Sequence, residues 1–173
     1  MWSEKMLLTT VDSPLGLLTL ASDGERLTGL WMEGQKHFGA NPIWNEQHDL
    51  PLFADAKRWM DVYFSGRQPS FSVPVRLIGT DFQVAVWTQL LHIPYGTTTT
   101  YSAIAKSMGM SVKSSRAVGM AVGLNPISII VPCHRVIGAN GKLTGFAAGL
   151  ERKRFLLQLE RSTKDRVKVE RAQ

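Results

Sequence analysis

The sequence predicts a mixed α/β chain of the α+β kind: an N-terminal antiparallel β-sheet carrying one helix, then a largely helical C-terminal half. Three observations carry that expectation. Short apolar, β-leaning runs separated by turn signals fill the first 32 residues. Later segments place their apolar residues at helical spacing. The charge balance also changes sign: residues 1–79 hold seven Lys/Arg against nine Asp/Glu, and residues 80–173 hold thirteen against five.

Met6–Val11 and Leu15–Ala21 read as strands joined by the turn Asp12-Ser13-Pro14. Asp23-Gly24 marks a second turn and Arg26–Met32 a third strand, completing an antiparallel meander. Residues 34–51, with Gly34, Gly39, Pro42 and Pro51, read as loop. Leu52–Phe64 spaces Phe53, Ala56, Trp59, Met60, Tyr63 and Phe64 as a helix, which Gly66 stops. The proline-bearing stretch Pro69–Gly79 reads as a linker, dividing the chain into domains 1–79 and 80–173.

In the second half Phe82–Leu91 forms a helix ended by Pro94-Tyr95-Gly96. A four-threonine tract, Thr97–Thr100, leads into a short helix, Tyr101–Met108. Gly109-Met110-Ser111 turns the chain, and Ser114–Gly123 makes a second helix with Val118, Ala121 and Val122 inward. Helix, glycine turn and helix within a basic segment is the helix-turn-helix pattern, although many helical hairpins share it. The β-branched run Ile127–Val131 reads as a strand delivering the chain to Pro132. Asn140-Gly141 is a tight turn, Gly145–Gly149 a small-residue loop, and Glu151–Arg161 an amphipathic helix with Glu160 in its last turn. The basic tail 161–173 is either disordered or a DNA-steering extension.

At 173 residues with 44% hydrophobic content the chain can bury a core. No run approaches the roughly 20 apolar residues of a membrane-spanning helix. Met1–Lys5 does not open a signal peptide, and a single cysteine suits a reducing compartment. The expected location is therefore the cytoplasm, at the nucleoid in a bacterium, or the nucleus in a eukaryote. The net charge of +6, concentrated in the second half, suggests a polyanionic partner, against the bland alternative of a solvated helix and tail.

The outward face of Ser114–Gly123 offers Ser114, Ser115, Ala117 and Gly119 around one long cation, Arg116. Major-groove readers usually present Arg, Lys, Asn or Gln to base edges. Small residues instead permit close backbone approach to a narrow groove, with Arg116 as a wedge in the base stack. Close helix–helix packing is the competing explanation.

The tetrapeptide Pro132-Cys133-His134-Arg135 contains the only cysteine. A lone thiol can neither staple a fold nor build a thiolate cage, which leaves a nucleophile or a buried apolar residue. A carboxylate at Glu160 could orient His134, and His134 could take the thiol proton, through a water because adjacent side chains diverge. His37, His48 and His92 lack paired ligand spacing, so no metal is expected. No phosphate-binding loop or dinucleotide fingerprint appears.

Taken together, the run Asn125-Pro126-Ile127-Ser128-Ile129-Ile130-Val131-Pro132-Cys133-His134-Arg135-Val136-Ile137-Gly138 resembles the active-site signature of the O6-alkylguanine-DNA alkyltransferases. Phe82-Gln83, Val86-Trp87, Ile93-Pro94-Tyr95-Gly96 and Thr100-Tyr101 resemble the family's entry into its helix-turn-helix. Ser115-Arg116-Ala117-Val118-Gly119 resembles its recognition helix, and Gly145–Leu150 with Lys153, Leu156, Leu157 and Glu160 its closing loop and helix. The likeness spans about residues 80–160; the first half matches in general style only.

The resemblance implies a ribonuclease H-like N-terminal domain and a winged helix-turn-helix-type C-terminal domain. It implies repair of O6-alkylguanine in double-stranded DNA, with O4-alkylthymine as a secondary substrate. The alkyl group passes irreversibly to Cys133 after the nucleotide is flipped out, with no cofactor and no metal. His134 and Glu160 would relay the thiol proton, Tyr101 would protonate the leaving guanine, and Asn125 would tie the DNA-reading helix to the active-site segment. Arg116 would fill the vacated stack, with Ser114, Ser115, Ala117 and Gly119 in the minor groove. Phe146, Ala147, Ser128, Lys153 and Val136 would form the substrate pocket, the Ala147 amide facing O6. Phe146 stands where some members carry tyrosine, Ala147 where some carry serine, and Ser128 replaces a proline at the pocket wall. Asp81 occupies a position often held by proline, with nothing functional inferred. The implied assembly is a monomer without membrane contact, with room for cooperative assembly on DNA. A noncatalytic damage-binding helix-turn-helix module and a cysteine hydrolase are the competing functions.

Overall fold

The computed structural model describes residues 6–36, 38 and 44–172, with side chains as far as Thr163. Met1–Lys5, His37, and the Gly39 and Pro42 of the expected loop lie outside the described residues, as do the side chains of 164–173. Strands β1 (Leu7–Val11), β2 (Leu18–Ser22) and β3 (Leu27–Met32) form the expected antiparallel meander. The first hairpin is closed by Ser13, whose hydroxyl donates to the Gly16 carbonyl at 2.6 Å and accepts from the Leu15 amide at 3.1 Å. Gly16 sits at φ 96°, a left-handed position that costs glycine no steric penalty. This turn absorbs Leu15–Leu17, so β2 starts later than its apolar run.

A fourth strand, β4 (Asn45–Glu46), lies inside the expected loop and pairs in parallel with β1, giving the order β3-β2-β1-β4. Asn45-Glu46 has no β-leaning composition; the pairing rests on backbone bonds, Asn45 N–H to Met6 O at 3.1 Å and Gln47 N–H to Leu8 O at 2.8 Å. Helix α1 (Pro51–Phe64) starts on Pro51, whose missing N–H is harmless at a first helical position. It buries Leu52, Phe53, Ala56, Met60 and Tyr63.

The stretch expected as a linker is pinned to β3: Leu27 donates to Pro74 O and accepts from the Arg76 amide. Farther along the same strand, Leu30 donates to Pro126 O at 2.8 Å and accepts from the Ser128 amide at 3.1 Å. Leu18, Leu30, Met60, Val86, Ile104, Val118, Val131 and Leu156 belong to one continuous core. The two halves therefore share their hydrophobic interior.

Helix α2 (Asp81–Leu90) begins with a reciprocal capping box between Thr80 and Gln83. Strand β5 (Thr99–Thr100) leads into α3 (Tyr101–Ser107), whose first turn is capped by Thr100. A 3-10 turn, Val112–Ser114, precedes α4 (Ser115–Gly123), so Ser114 lies just outside the helix expected to contain it. The Trp87 indole donates to Ala121 O at 2.8 Å and fixes α4 on α2. Strand β6 (Val136–Ile137) pairs in parallel with β5.

Two expectations are corrected. Ile127–Val131 is not a strand: only Ile127 bridges to Leu30, and residues 128–130 form a turn. Its β-branched residues mark burial (Ile127, Ile129 and Val131 are all in the core), a preference that tertiary packing satisfied without a ladder. Helix α5 runs Leu150–Ala172 rather than ending near Arg161, so Glu160 lies mid-helix and the backbone of the tail to Ala172 is helical, not disordered. Among the described residues no helix is long and apolar enough to cross a membrane.

Candidate active site

The site begins with Asn125, just past the end of α4 and buried. Its amide oxygen accepts from Ile127 N–H at 3.0 Å, and its NH₂ donates to Val131 O at 2.8 Å and to Ile127 O at 3.4 Å. One side chain thus satisfies backbone groups that a strand would have paired. The turn it encloses puts Ile129 at φ 72°, a sterically costly conformation for a β-branched residue. Val131 O also accepts from the Cys133 amide at 2.8 Å, so Asn125 and the cysteine share an anchor. Cys133-His134-Arg135 then forms a single 3-10 turn.

That turn delivers two side chains to one buried carboxylate. Glu160 Oε2 accepts from His134 Nε2 at 2.5 Å and from the Tyr63 hydroxyl at 2.6 Å; Oε1 accepts from Arg135 Nε at 2.8 Å and from Gly96 N–H at 3.0 Å. Four donors meet the two oxygens, close to a carboxylate's full accepting capacity. Burial alone would raise the Glu160 pKa, but the hydrogen bonds and charges of His134 and Arg135 outweigh it and hold it down to about 2. For His134 burial wins over the carboxylate, so its pKa is lowered and the ring stays neutral at neutral pH. With the proton on Nε2 facing Glu160, Nδ1 carries a lone pair. That atom is buried and has no hydrogen-bond partner among the described residues.

Cys133 itself is 5% exposed. Burial pushes its thiol pKa up, while the Asn125 amide, the Lys153 ammonium and the local backbone N–H groups pull it down. Lys153 is fully buried and donates from Nζ to Val136 O at 2.6 Å and to Thr144 O at 2.8 Å. Desolvation lowers its pKa to about 8, partly offset by the nearby Cys133 sulfur. Tyr101 faces the same region: burial raises its pKa and the sulfur raises it further, against the Thr144 hydroxyl, which donates to the phenol oxygen at 3.4 Å.

Beside these groups lies a cavity of about 500 Å³, open to solvent and lined on the helical side by Tyr101, Ser115, Arg116, Gly119 and Met120. Thr144, Phe146, Ala147 and Lys36 form its other side. The N–H of Ala147 has no partner among the described residues. Tyr101, Arg116, Ser115, Gly119, Phe146 and Ala147 are thus brought to one cleft. Ser114, just ahead of α4, and Ala117, within it, do not line it; Cys133, His134, Glu160, Asn125, Lys153 and Val136 do not line it either and are buried. Ser128, expected at the pocket wall, is buried, does not line the cleft and spends its N–H, which a proline would lack, on Leu30 O. Among the described residues no group of three or more His, Cys, Asp or Glu could hold a metal ion.

Several participants carried no chemical signal in sequence. Tyr63 read as part of an apolar stripe, and its hydroxyl meets Glu160 across 97 residues. Arg135 sits inside the cysteine motif yet had no assigned role, and Lys36 belongs to the other half of the chain. Only tertiary packing reveals them.

Comparison with known proteins follows the same division. Residues 6–77 match the ribonuclease-like domain of 6-O-methylguanine DNA methyltransferase, and residues 81–162 match its DNA binding domain. A methylated-DNA–protein-cysteine methyltransferase from Methanosarcina acetivorans is 49% identical over 91% of this chain and 99% of that protein. One from Mycobacterium bovis is 50% identical over 88% and 91% respectively. The crystal structure of Mycobacterium tuberculosis OGT in complex with DNA superposes with a TM-score of 0.83 at 49% identity, covering 91% of this chain and 94% of that one. The expected fold class is borne out, and the chain belongs to the 6-O-methylguanine DNA methyltransferase family.

Proposed function

We propose that this protein repairs DNA by moving an alkyl group from guanine O6 to its own Cys133, once per molecule. The carrying observation is the neutral His134, locked on Glu160 with an unpaired Nδ1, adjoining the only cysteine, whose sulfur is felt by Tyr101 in the wall of the Arg116 cleft. In this reading the thiol proton leaves through a water to His134 Nδ1, and the imidazolium is held by the ionised Glu160. Sulfur then attacks the alkyl carbon in line: the S–C bond forms, the C–O6 bond breaks, and the electron pair passes to the guanine. Tyr101 supplies the proton that the leaving base takes up. Lys153, pointed at carbonyls near the sulfur, favours thiolate over thiol. Asn125 keeps the cysteine turn and the end of α4 in one register, while Phe146, Ala147 and Val136 shape the pocket, with the Ala147 N–H directed at O6.

A guanine within a duplex hides O6, so the nucleotide must be extruded, at a cost of a few kcal/mol. Arg116 occupies its place, and the short side chains Ser114, Ser115, Ala117 and Gly119 bring α4 against the minor groove with little sequence readout. O4-alkylthymine is a secondary substrate on the same geometry. The protein acts as a monomer, cooperative assembly on DNA being additional, and works in the cytoplasm or at the genome. Residues 1–79 and 80–173 act as sheet domain and DNA domain.

The test is intact-mass measurement after mixing with O6-methylguanine duplex DNA. The reading requires one methyl per protein, mapped to Cys133, and its absence in a Cys133→Ser variant that still binds DNA. An unmodified wild-type protein would leave a noncatalytic damage-binding module, and repeated turnover would indicate a cysteine hydrolase. DNA affinity that does not fall with added salt would remove minor-groove docking by the basic half.

A further inference from the structure

Within the C-terminal half the cysteine side and the loop are joined by Lys153, through Val136 O and Thr144 O, and by the Tyr101–Thr144 contacts at 3.4 Å, none of which reaches Ala147 itself. Between the cysteine turn and Ala147 the chain passes through Gly138, Gly141 and Gly145. The last two have positive φ, and no atom lies within 4 Å of where a Cβ would project. Lys153 secures the start of the loop through Thr144 O, and Gly149 N–H closes its end on Phe146 O. The middle, Ala147, is held from the other half of the protein: the Lys36 amide donates to Ala147 O at 2.9 Å. Arg152 adds a second tie, its Nη1 donating to Glu33 O at 2.6 Å and reaching Ala148 O at 3.5 Å.

The opposite end of the same short segment grips the cysteine side. Leu30 on β3 exchanges two backbone bonds with Pro126 and Ser128, immediately ahead of the turn that carries Cys133. Between Leu30 and Lys36 the chain is stiff. Glu33 N–H is bonded to Leu17 O, and the buried Gln35 closes the turn twice, its N–H to Met32 O at 3.1 Å and its Oε1 from Met32 N–H at 2.7 Å.

We infer that Leu30–Lys36 is a caliper that sets the distance between the cysteine turn and the Ala147 peptide, making the N-terminal sheet a positioning part of the active site. The inference rests on the proposed reading that Ala147 faces the substrate. Its backbone tie is the Lys36 N–H, and its side-chain tie is Arg152; both act through loop 145–149 and touch no reacting atom.

The test uses the full chain and free O6-benzylguanine, a probe that needs no DNA contact, with single-turnover rates read from Cys133 alkylation. Lys36→Pro, which removes the N–H, should react about ten- to a hundredfold more slowly than Lys36→Ala, which keeps it, since a small misplacement of a binding group has effects of that size. Arg152→Ala should slow the reaction several-fold, with partial rescue by Arg152→Lys, and this pair carries the test should Lys36→Pro not fold. Hydrogen exchange in peptide 145–150 should quicken in the slowed variants, while Lys36→Pro and Lys36→Ala, which lose the same charge, bind unmodified DNA alike. Equal rates for Lys36→Pro and Lys36→Ala, or an Arg152→Ala variant as fast as wild type with only a lower melting temperature, would overturn the caliper. Ala147→Pro separates the two readings: full activity there removes Ala147 from the pocket, whereas a slow Ala147→Pro with a fast Arg152→Ala removes the caliper alone.

Discussion

Glu160→Gln tests the buried relay most directly. Holding the Glu160 carboxyl at about 2 rather than 4.5 is worth about 3 kcal/mol, at about 1.4 kcal/mol per pH unit. Glutamine keeps the shape but offers one acceptor oxygen and an NH₂. That NH₂ must face either the Tyr63 and His134 donors or the Arg135 and Gly96 donors, so one pair is left opposing another donor. Breaking a buried charge pair in this manner costs about 3–5 kcal/mol. The sign with pH follows from a depressed carboxyl: its stabilisation is complete above the unfolded value of 4.5 and is lost as pH falls towards 2. Urea unfolding should therefore find the variant about 3 kcal/mol or more less stable at pH 6, with the charge-dependent part of the gap reduced to about 1–2 kcal/mol at pH 3. Alkyl transfer should also slow by at least about a hundredfold, because His134 loses the partner that orients it and balances its charge. A gap below about 1 kcal/mol at pH 6, or one that does not narrow in acid, would refute the argument.

Lys153→Met should abolish an alkaline feature of the wild type. A buried lysine lowered to about 8 binds fewer protons folded than unfolded between 8 and 10.5, so wild-type stability should gain about 3 kcal/mol across that window and the variant should not. The same variant should move Cys133 alkylation to higher pH, and an unshifted profile would exclude charge coupling between ammonium and sulfur. Asn125→Ala strands Ile127 N–H in the interior and takes one of two donors from Val131 O, which keeps the Cys133 amide, and should cost about 2–4 kcal/mol in thermal or urea unfolding; a loss under about 1 kcal/mol would mean the turn holds itself. Gly119→Ala should fold at least as stably as wild type, since an added methyl meets only the Tyr101 ring at 3.6 Å and helix propensity improves by up to about 1 kcal/mol. Its DNA affinity should nonetheless fall several-fold, and unchanged affinity would argue against close backbone approach by α4.

The family signature around Cys133, the meander, α1 and the paired helices α3 and α4 were legible in sequence, because each depends on local spacing, turn residues and side-chain chemistry. Cys133, His134 and Arg116 were visible for the same reason: unusual residue types in an unusual neighbourhood. What the sequence could not carry was anything settled by distant partners. The run Ile127–Val131 has the composition of a strand, yet Asn125 captures its backbone and Leu30 offers it a single bridge, so it turns instead. β4 forms from two residues without strand preference because Met6 and Leu8 present unpaired backbone groups to it. Tyr63 and Gly96 join Glu160 across 97 and 64 residues, and the Lys36 bond to Ala147 crosses the boundary between the halves. The sequence around Cys133, through its resemblance to a known family, pointed to which reaction this chain is equipped for. The tertiary structure decided which proton acceptor, which charge and which wall serve the sulfur, because burial and long-range hydrogen bonding are properties of the packed interior and not of neighbouring residues.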